Sequence, residues 1–416
     1  MTTWFLSKFI LLIVCTLLLT ACEKETNEHI KPSSFIEIFD DYWYNMDKSY
    51  VYWDIDSTNW DQIYLKYKPL FKELDLNNNS DVIRSYEYFQ EITRDLIDCH
   101  YSISFTNSTI LNKVISPAYV KKQKQAGFHY QYYYMDIDLN YLDSGYYVAY
   151  DYSNIGNGQP LTVVCGTINN EILYFSCNFF TLMKSYYSNS DNSIKQILNY
   201  FFRMLSEEKS NIKGVIVDVR GNPGGDLGDL NFFMGHFIEE PLHFGYIQSK
   251  SGNGRFDYTP WIKAFVNPHA DGHKFEKTIV VLADNYSASL SEALVMAVCS
   301  LPNGIFIGEN TWGATGPLTE FEVYNAGSFA VGDFMYVNSA SCRFKYLDGK
   351  IYEGIGFTPD ILVPFNFSEL EKGTDSQLQK AIDVIRSEYK QETLRRRAIG
   401  CSNLYSPFFK TLKNKA

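Results

Sequence analysis

The sequence is short of positive charge: 37 Lys and Arg stand against 48 Asp and Glu, a formal net charge of −11. Such a chain lacks the basic footprint that a nucleic-acid backbone requires, so no nucleic-acid partner is expected. Walker loops and glycine-rich dinucleotide fingerprints are absent, which removes the usual phosphate cradles. There is no Cys-x-x-Cys pair and no cysteine–histidine spacing suited to zinc. No metal and no cofactor is expected. Internal repeats and low-complexity blocks are also missing. The apolar stretch at residues 9–21 is too short and wrongly flanked for an ordinary membrane-spanning helix.

What is present is a chain of 416 residues, with room for two or three domains and a large core, and unusually rich in Tyr (32) and Phe (30). Lys8 followed by "FILLIVCTLLLTA" reads as a targeting segment, residues 1–22. Its end, Leu19-Thr20-Ala21-Cys22, resembles a bacterial lipoprotein box. The resemblance implies cleavage before Cys22, lipidation of that cysteine, and anchoring in the cell envelope on an outer-membrane, periplasmic or surface face. A plain signal peptide with an incidental Cys22 is the alternative. Residues 23–32 are polar and acidic and read as a tether. The compartment permits disulfides, and both a Cys165–Cys177 pair and two buried free thiols stay open.

Periodicity divides the rest. Residues 33–100 carry aromatic and aliphatic positions at three-to-four spacing and predict a helical subdomain. Residues 101–165 are rich in aromatic and β-branched residues with turn signals, and predict a β-rich module. From 166 to 392, buried strands ("NEILYFSCNFF", "KGVIVDVRG", "KTIVVLAD", "GIFIGEN") alternate with helical patterns. That alternation predicts an α/β core on a mostly parallel sheet with right-handed crossovers. Residues 327–364 read as β hairpins, "TDSQLQKAIDVIRSEYKQE" as a closing helix, and 393–416 as a basic tail.

Two stretches carry chemistry. In "VIVDVRGNPGGDLGDL" a buried strand ends in Asp218-Val219-Arg220 and a glycine-rich turn before a helix. Such a turn presents backbone N–H groups where negative charge is favoured, although glycine turns are common in themselves. In "NYSASLSE" three serines, Ser287, Ser289 and Ser291, sit at a second strand-to-helix turn. A serine there can be a nucleophile whose following N–H stabilises an oxyanion; a helix capping box is the plainer reading. Asp284 can support that turn, Asp218 and Arg220 brace the other, and Glu292 and Glu309 read as structural.

"DVRGNPGG", "NYSASLSEA" and "EGIGFTPDILV", in that order, resemble the carboxyl-terminal processing protease family, whose relatives include the tricorn core protease and a retinoid-binding protein. The resemblance covers roughly residues 34–390 and implies a crotonase-like (ClpP-like) core and a serine endopeptidase acting on protein or peptide substrates. It implies Ser289 as nucleophile, with the N–H of Leu290 and of Gly224 or Gly225 as oxyanion donors. The lysine used by one branch falls at Ala314, which has no basic group. The tricorn-like branch implies instead His100 as general base, Cys99 where that branch has a serine, and Glu353 to orient the relay. Family members often carry a PDZ module; residues 101–165 are then a degenerate PDZ-like domain or a different aromatic contact surface. The resemblance also allows a catalytically inactive, peptide- or ligand-binding lipoprotein.

Overall fold

The computed structural model describes residues 31–387, apart from 126, 157, 189–191, 208–210 and 320–325. The targeting segment, Cys22, most of the tether and the basic tail lie outside the described residues.

Three helices open the chain: α1 (Phe35–Ser49), α2 (Trp60–Lys72) and α3 (Asn79–Thr93). Each begins at a side-chain cap, Ser34, Asn59 and Asn78 respectively, which satisfies an otherwise orphaned N–H of the first turn. Their buried faces are aromatic: Phe39 stacks on Phe71 at 4.7 Å and Tyr42 meets Phe89 edge-on at 5.1 Å. Two short strands follow, β1 (Ser102–Phe105) and β2 (Val114–Ile115), then the short helices α4 (Pro117–Lys122) and α5 (Met135–Asp138).

The α/β part begins with β3 (Tyr147–Gly156), β4 (Gln159–Ile168) and β5 (Ile172–Cys177). It continues through α6 (Leu182–Tyr186), α7 (Ser193–Ser206), β6 (Gly214–Asp218) and α8 (Gly228–Met234). After β7 (Leu242–Ser249) and β8 (Ile262–Val266) come β9 (Thr278–Ala283), α9 (Leu290–Ser300) and β10 (Gly304–Gly308). The chain closes with β11 (Phe329–Val331), β12 (Met335–Asn338), β13 (Cys342–Tyr346), β14 (Ile361–Leu362), α10 (Phe367–Leu370) and α11 (Ser376–Arg386).

The central sheet has seven strands in the order β14-β10-β9-β6-β5-β4-β3. The run from β14 to β5 is parallel, and β4 and β3 extend it antiparallel. Strands β6 and β9 are buried along nearly their whole length because helices cover both faces, which explains their unbroken apolar runs. Helices α7, α8 and α9 share one apolar cluster with the sheet, and α11 shares the other.

Two expectations differ from this arrangement. Residues 101–165 do not form a module of their own: β1 and β2 pair with β11 and β12 in a four-stranded sheet, while β3 and β4 finish the central sheet. A local turn pattern cannot say which distant strand a segment pairs with, and here the partners lie in two different sheets. Within 327–364, β11 and β12 form the expected hairpin, but β13 pairs with β7 and β14 with β10. The cysteine question is settled by register. Cys165 faces Phe175 and Cys177 faces Val163 across β4–β5, and both thiols are free and buried.

The hairpin β11–β12 closes the hydrophobic core of the helical subdomain, with Phe334 edge-on to Phe35 at 5.6 Å. The N-terminal subdomain is thereby locked to a segment that arrives 232 residues later, since Ser104 of β1 pairs with Tyr336. This clasp holds the residues just before β1 against the α/β core.

Candidate active site

Ser289 stands between β9 and α9 with φ 55° and ψ −116°, outside the regions that L residues favour. Backbone strain of this kind persists only where the surroundings enforce it. The enforcement is visible. Ser287 Oγ donates to Val219 O at 2.7 Å, Ser291 Oγ to Asn222 O at 2.8 Å, and Ala288 N to Asn222 O at 3.1 Å. Asp284, fully buried, accepts from Gly221 N and Tyr286 N, both at 2.9 Å. The two flanking serines and Asp284 thus staple the serine turn to the glycine-rich turn. Ser289 itself is partly exposed.

The glycine turn is pressed against that serine. A Cβ on Gly224 (φ 100°) would lie 2.7 Å from Leu290 N, Ala288 O and Ser289 Cβ. Its N–H is committed to Asn222 Oδ1 at 2.8 Å. Among the described residues the N–H groups of Leu290 and Gly225 have no acceptor, so these two amides are the ones available to a developing oxyanion. Below the turn, Arg220 is enclosed by three carboxylates: Asp218, Asp375 and Asp138. This network braces the turn, and the Arg220 guanidinium also sits over the Tyr134 ring, 3.8 Å from its centroid.

Glu292 is fully buried, and its carboxylate accepts from Ser289 N (3.1 Å), Thr311 Oγ1 (2.6 Å), Gly313 N and Ala314 N (both 2.7 Å). It ties the serine to the 311–316 loop. The other end of that loop is held by Glu353, which accepts from Thr315 N (2.8 Å), Gly316 N (2.9 Å), Tyr52 Oη (2.9 Å) and Cys99 N (2.7 Å). One loop therefore spans from the serine cap to the Cys99–His100 segment.

Asp98 fixes that segment. It accepts from His100 N at 2.8 Å and from Ser339 Oγ and Ala340 N at 2.9 and 2.8 Å. Ligating atoms of Asp98, His100 and Glu353 all lie within 4.8 Å of one another. These carboxylate oxygens already face N–H and O–H donors, an arrangement that holds backbone in place and leaves few lone pairs for a cation. Burial pushes the Glu353 carboxyl up to about 8, with the charge of Asp98 adding to it, and lifts Asp98 to about 6. Burial also lowers His100 to about 4, which keeps the imidazole neutral in this structure. Its Nδ1 is buried without a partner. Cys99 joins the site through its N–H; burial raises its thiol well above the ordinary range, so the sulfur stays protonated.

A profile for peptidase family S41 matches residues 179–363. Those residues are a peptidase family S41 domain. The nisin-resistance protein of Lactococcus lactis subsp. lactis is 25% identical over 211 residues, covering 49% of this chain and 59% of the relative. Carboxy-terminal processing protease CtpB of Bacillus subtilis (strain 168) is 33% identical over 114 residues, 27% of this chain and 22% of that protein. This chain therefore spans less than two thirds of either relative. Among solved structures, a candidate peptidase of Parabacteroides merdae ATCC 43184 superposes with TM-score 0.66 at 22% identity, covering 86% of this chain and 98% of that one. Mature CPAF complexed with lactacystin gives 0.53 at 10% identity, with 88% and 99% covered. Both share the fold. The S41 domain holds the glycine turn, Ser289, the 311–316 loop and Glu353, while Cys99 and His100 come from the helical subdomain outside it.

Several contributors escape a reading of the sequence. Tyr52 lies far from any motif, and only the fold brings its hydroxyl to Glu353. Asp98, two residues before His100, has the Asx-type spacing that caps a following N–H, which is a usable local signal. Lys122 has no sequence signal at all.

Proposed function

We propose that the chain is a serine-type endopeptidase in which Ser289 attacks the peptide carbonyl. His100 takes the serine proton and later gives it to the leaving amine. Leu290 and Gly225 amides hold the oxyanion. Glu353 supports the relay by fixing Gly316 and the Cys99 backbone beside the imidazole. The observation that carries this reading is the strained Ser289 at the N-terminus of α9, stapled to a glycine turn with unpaired amides beside it. A cavity of about 520 Å³ borders the same turn at Gly221 and Pro223 and is walled by Tyr132, Tyr150 and Tyr152. Its aromatic wall suits an extended peptide carrying bulky side chains. Residues 1–22 are read as a lipoprotein signal with Cys22 as anchor, placing the enzyme on the cell envelope. Among the described residues no helix is long and apolar enough to cross a membrane.

A proteome-derived peptide library incubated with the protein tests the activity, with new termini read by mass spectrometry. Cleavage lost in Ser289→Ala is expected. The second reading, a peptide-binding protein without turnover, draws on the unpartnered Nδ1 of His100 and on the cavity. Peptides retained by the wild-type protein without cleavage would favour it.

A further inference from the structure

Lys122, the last residue of α4, is only 4% exposed, yet among the described residues its amine makes no ion pair. Nζ donates to Thr311 O at 3.3 Å and stands 5.6 Å over the Trp312 ring. Helix α4 is docked onto the same loop by Tyr119, stacked on Trp312 at 6.2 Å. An uncompensated buried ammonium is expensive, so its retention in this place calls for a charge that it serves.

That charge is one residue away. Thr311 presents its carbonyl to Lys122 and its hydroxyl to Glu292. Glu292 accepts four donors at once, those of Ser289, Thr311, Gly313 and Ala314, and these favour its ionised form against the burial that raises its carboxyl. A protonated carboxyl would turn one oxygen into a donor facing N–H groups. The titratable groups facing Glu292 are Lys122 from α4, and Cys99 and Glu353 from the loops on the other side. Cys99 is a neutral thiol, and Glu353, whose carboxyl burial pushes up to about 8, brings no positive charge. Lys122 is thus the group among these that favours the carboxylate.

We propose that Lys122 is a positioning residue for the nucleophile: its buried amine supplies the positive charge that keeps Glu292 ionised and so fixes the backbone of Ser289 and of the 311–314 loop. Burial raises Glu292, which its four hydrogen bonds offset, and burial lowers Lys122, which the neighbouring Cys99 and Glu292 offset. The consequence for the reaction rests on the peptidase reading; the electrostatic pairing does not.

The test is carried out on the whole protein labelled with ¹³Cδ-glutamate, with the Glu292 signal assigned by its loss in Glu292→Gln. Lys122→Met is expected to move the Glu292 titration upward by about one pH unit or more, and Lys122→Arg to restore it. Lys122→Gln serves the same purpose if the methionine variant fails to fold. In parallel, the acid limb of Ser289 labelling by a fluorophosphonate is expected to follow the Glu292 titration. An unmoved Glu292 titration in a folded Lys122→Met protein overturns the proposal. A moved titration in a protein whose Ser289 never reacts leaves the pairing intact and removes the peptidase reading instead.

Discussion

Gly224 shows how much a single residue decides. Its positive φ and the 2.7 Å approach to Leu290 N leave no room for a side chain. Gly224→Ala is expected to slow labelling of Ser289 at least about tenfold, because the added methyl pushes the serine turn off its amides. The check is labelling rate beside the circular dichroism melt, and a folded variant with wild-type labelling would contradict it. Glu353 makes a second, thermodynamic prediction. Its folded pKa of about 8 lies above the 4.5 of an unperturbed Glu, so the folded protein binds the extra proton and stability falls as pH rises through this window. His100 has the opposite sign, being lowered to about 4 from 6.5, but its contribution is complete above pH 6.5. Between pH 6.5 and 8 the Glu353 effect is therefore the one left among these groups. A loss of about 1–2 kcal/mol across that range is expected, and Glu353→Gln should flatten it; chemical denaturation at several pH values reads it.

At the level of elements, the 311–316 loop joins Glu292 at one end to Glu353 at the other. Thr311 donates to Glu292 at 2.6 Å and accepts from Phe357 N at 2.6 Å, both buried. Thr311→Val keeps the volume and removes both bonds, which should cost about 2–4 kcal/mol and lower the melting temperature. Serine labelling is expected to fall with it, since the loop then no longer holds Glu292 in register. The same scale shows what a sequence tells and what it withholds. Strands β5, β6, β9 and β10 and helices α7, α9 and α11 were legible because buried apolar runs and 3.6-residue periodicity are local properties. The pairing of β1 with β12 was not legible, because the choice of partner depends on packing between segments more than two hundred residues apart. The serine and glycine turns were readable from small residues at strand ends. Tyr52 and Lys122 reach the site only through tertiary contacts and left no trace in local pattern.

On the scale of the molecule, the site is assembled from two subdomains with separate cores, joined where the β11–β12 hairpin packs into the helical one. Phe329, Met335 and Val337 fill the helical subdomain although they lie within the matched S41 residues. The helical subdomain in turn delivers Tyr52, Cys99 and His100 to the S41 domain. The two parts are therefore expected to unfold together, in a single calorimetric transition. A fragment beginning at residue 166 is expected to expose the apolar faces of β11 and β12 and to lose His100, the proposed base. Two separated transitions would show that the clasp contributes little.

The central claim is that Ser289 is an activated nucleophile served by His100. The most direct measurement is labelling of the folded protein with a fluorophosphonate, mapped by peptide mass spectrometry. A single adduct on Ser289 is expected, absent in Ser289→Ala and slowed by about a hundredfold or more in His100→Ala. A folded wild-type protein that takes no label, or takes it on Ser287 or Ser291, would contradict it.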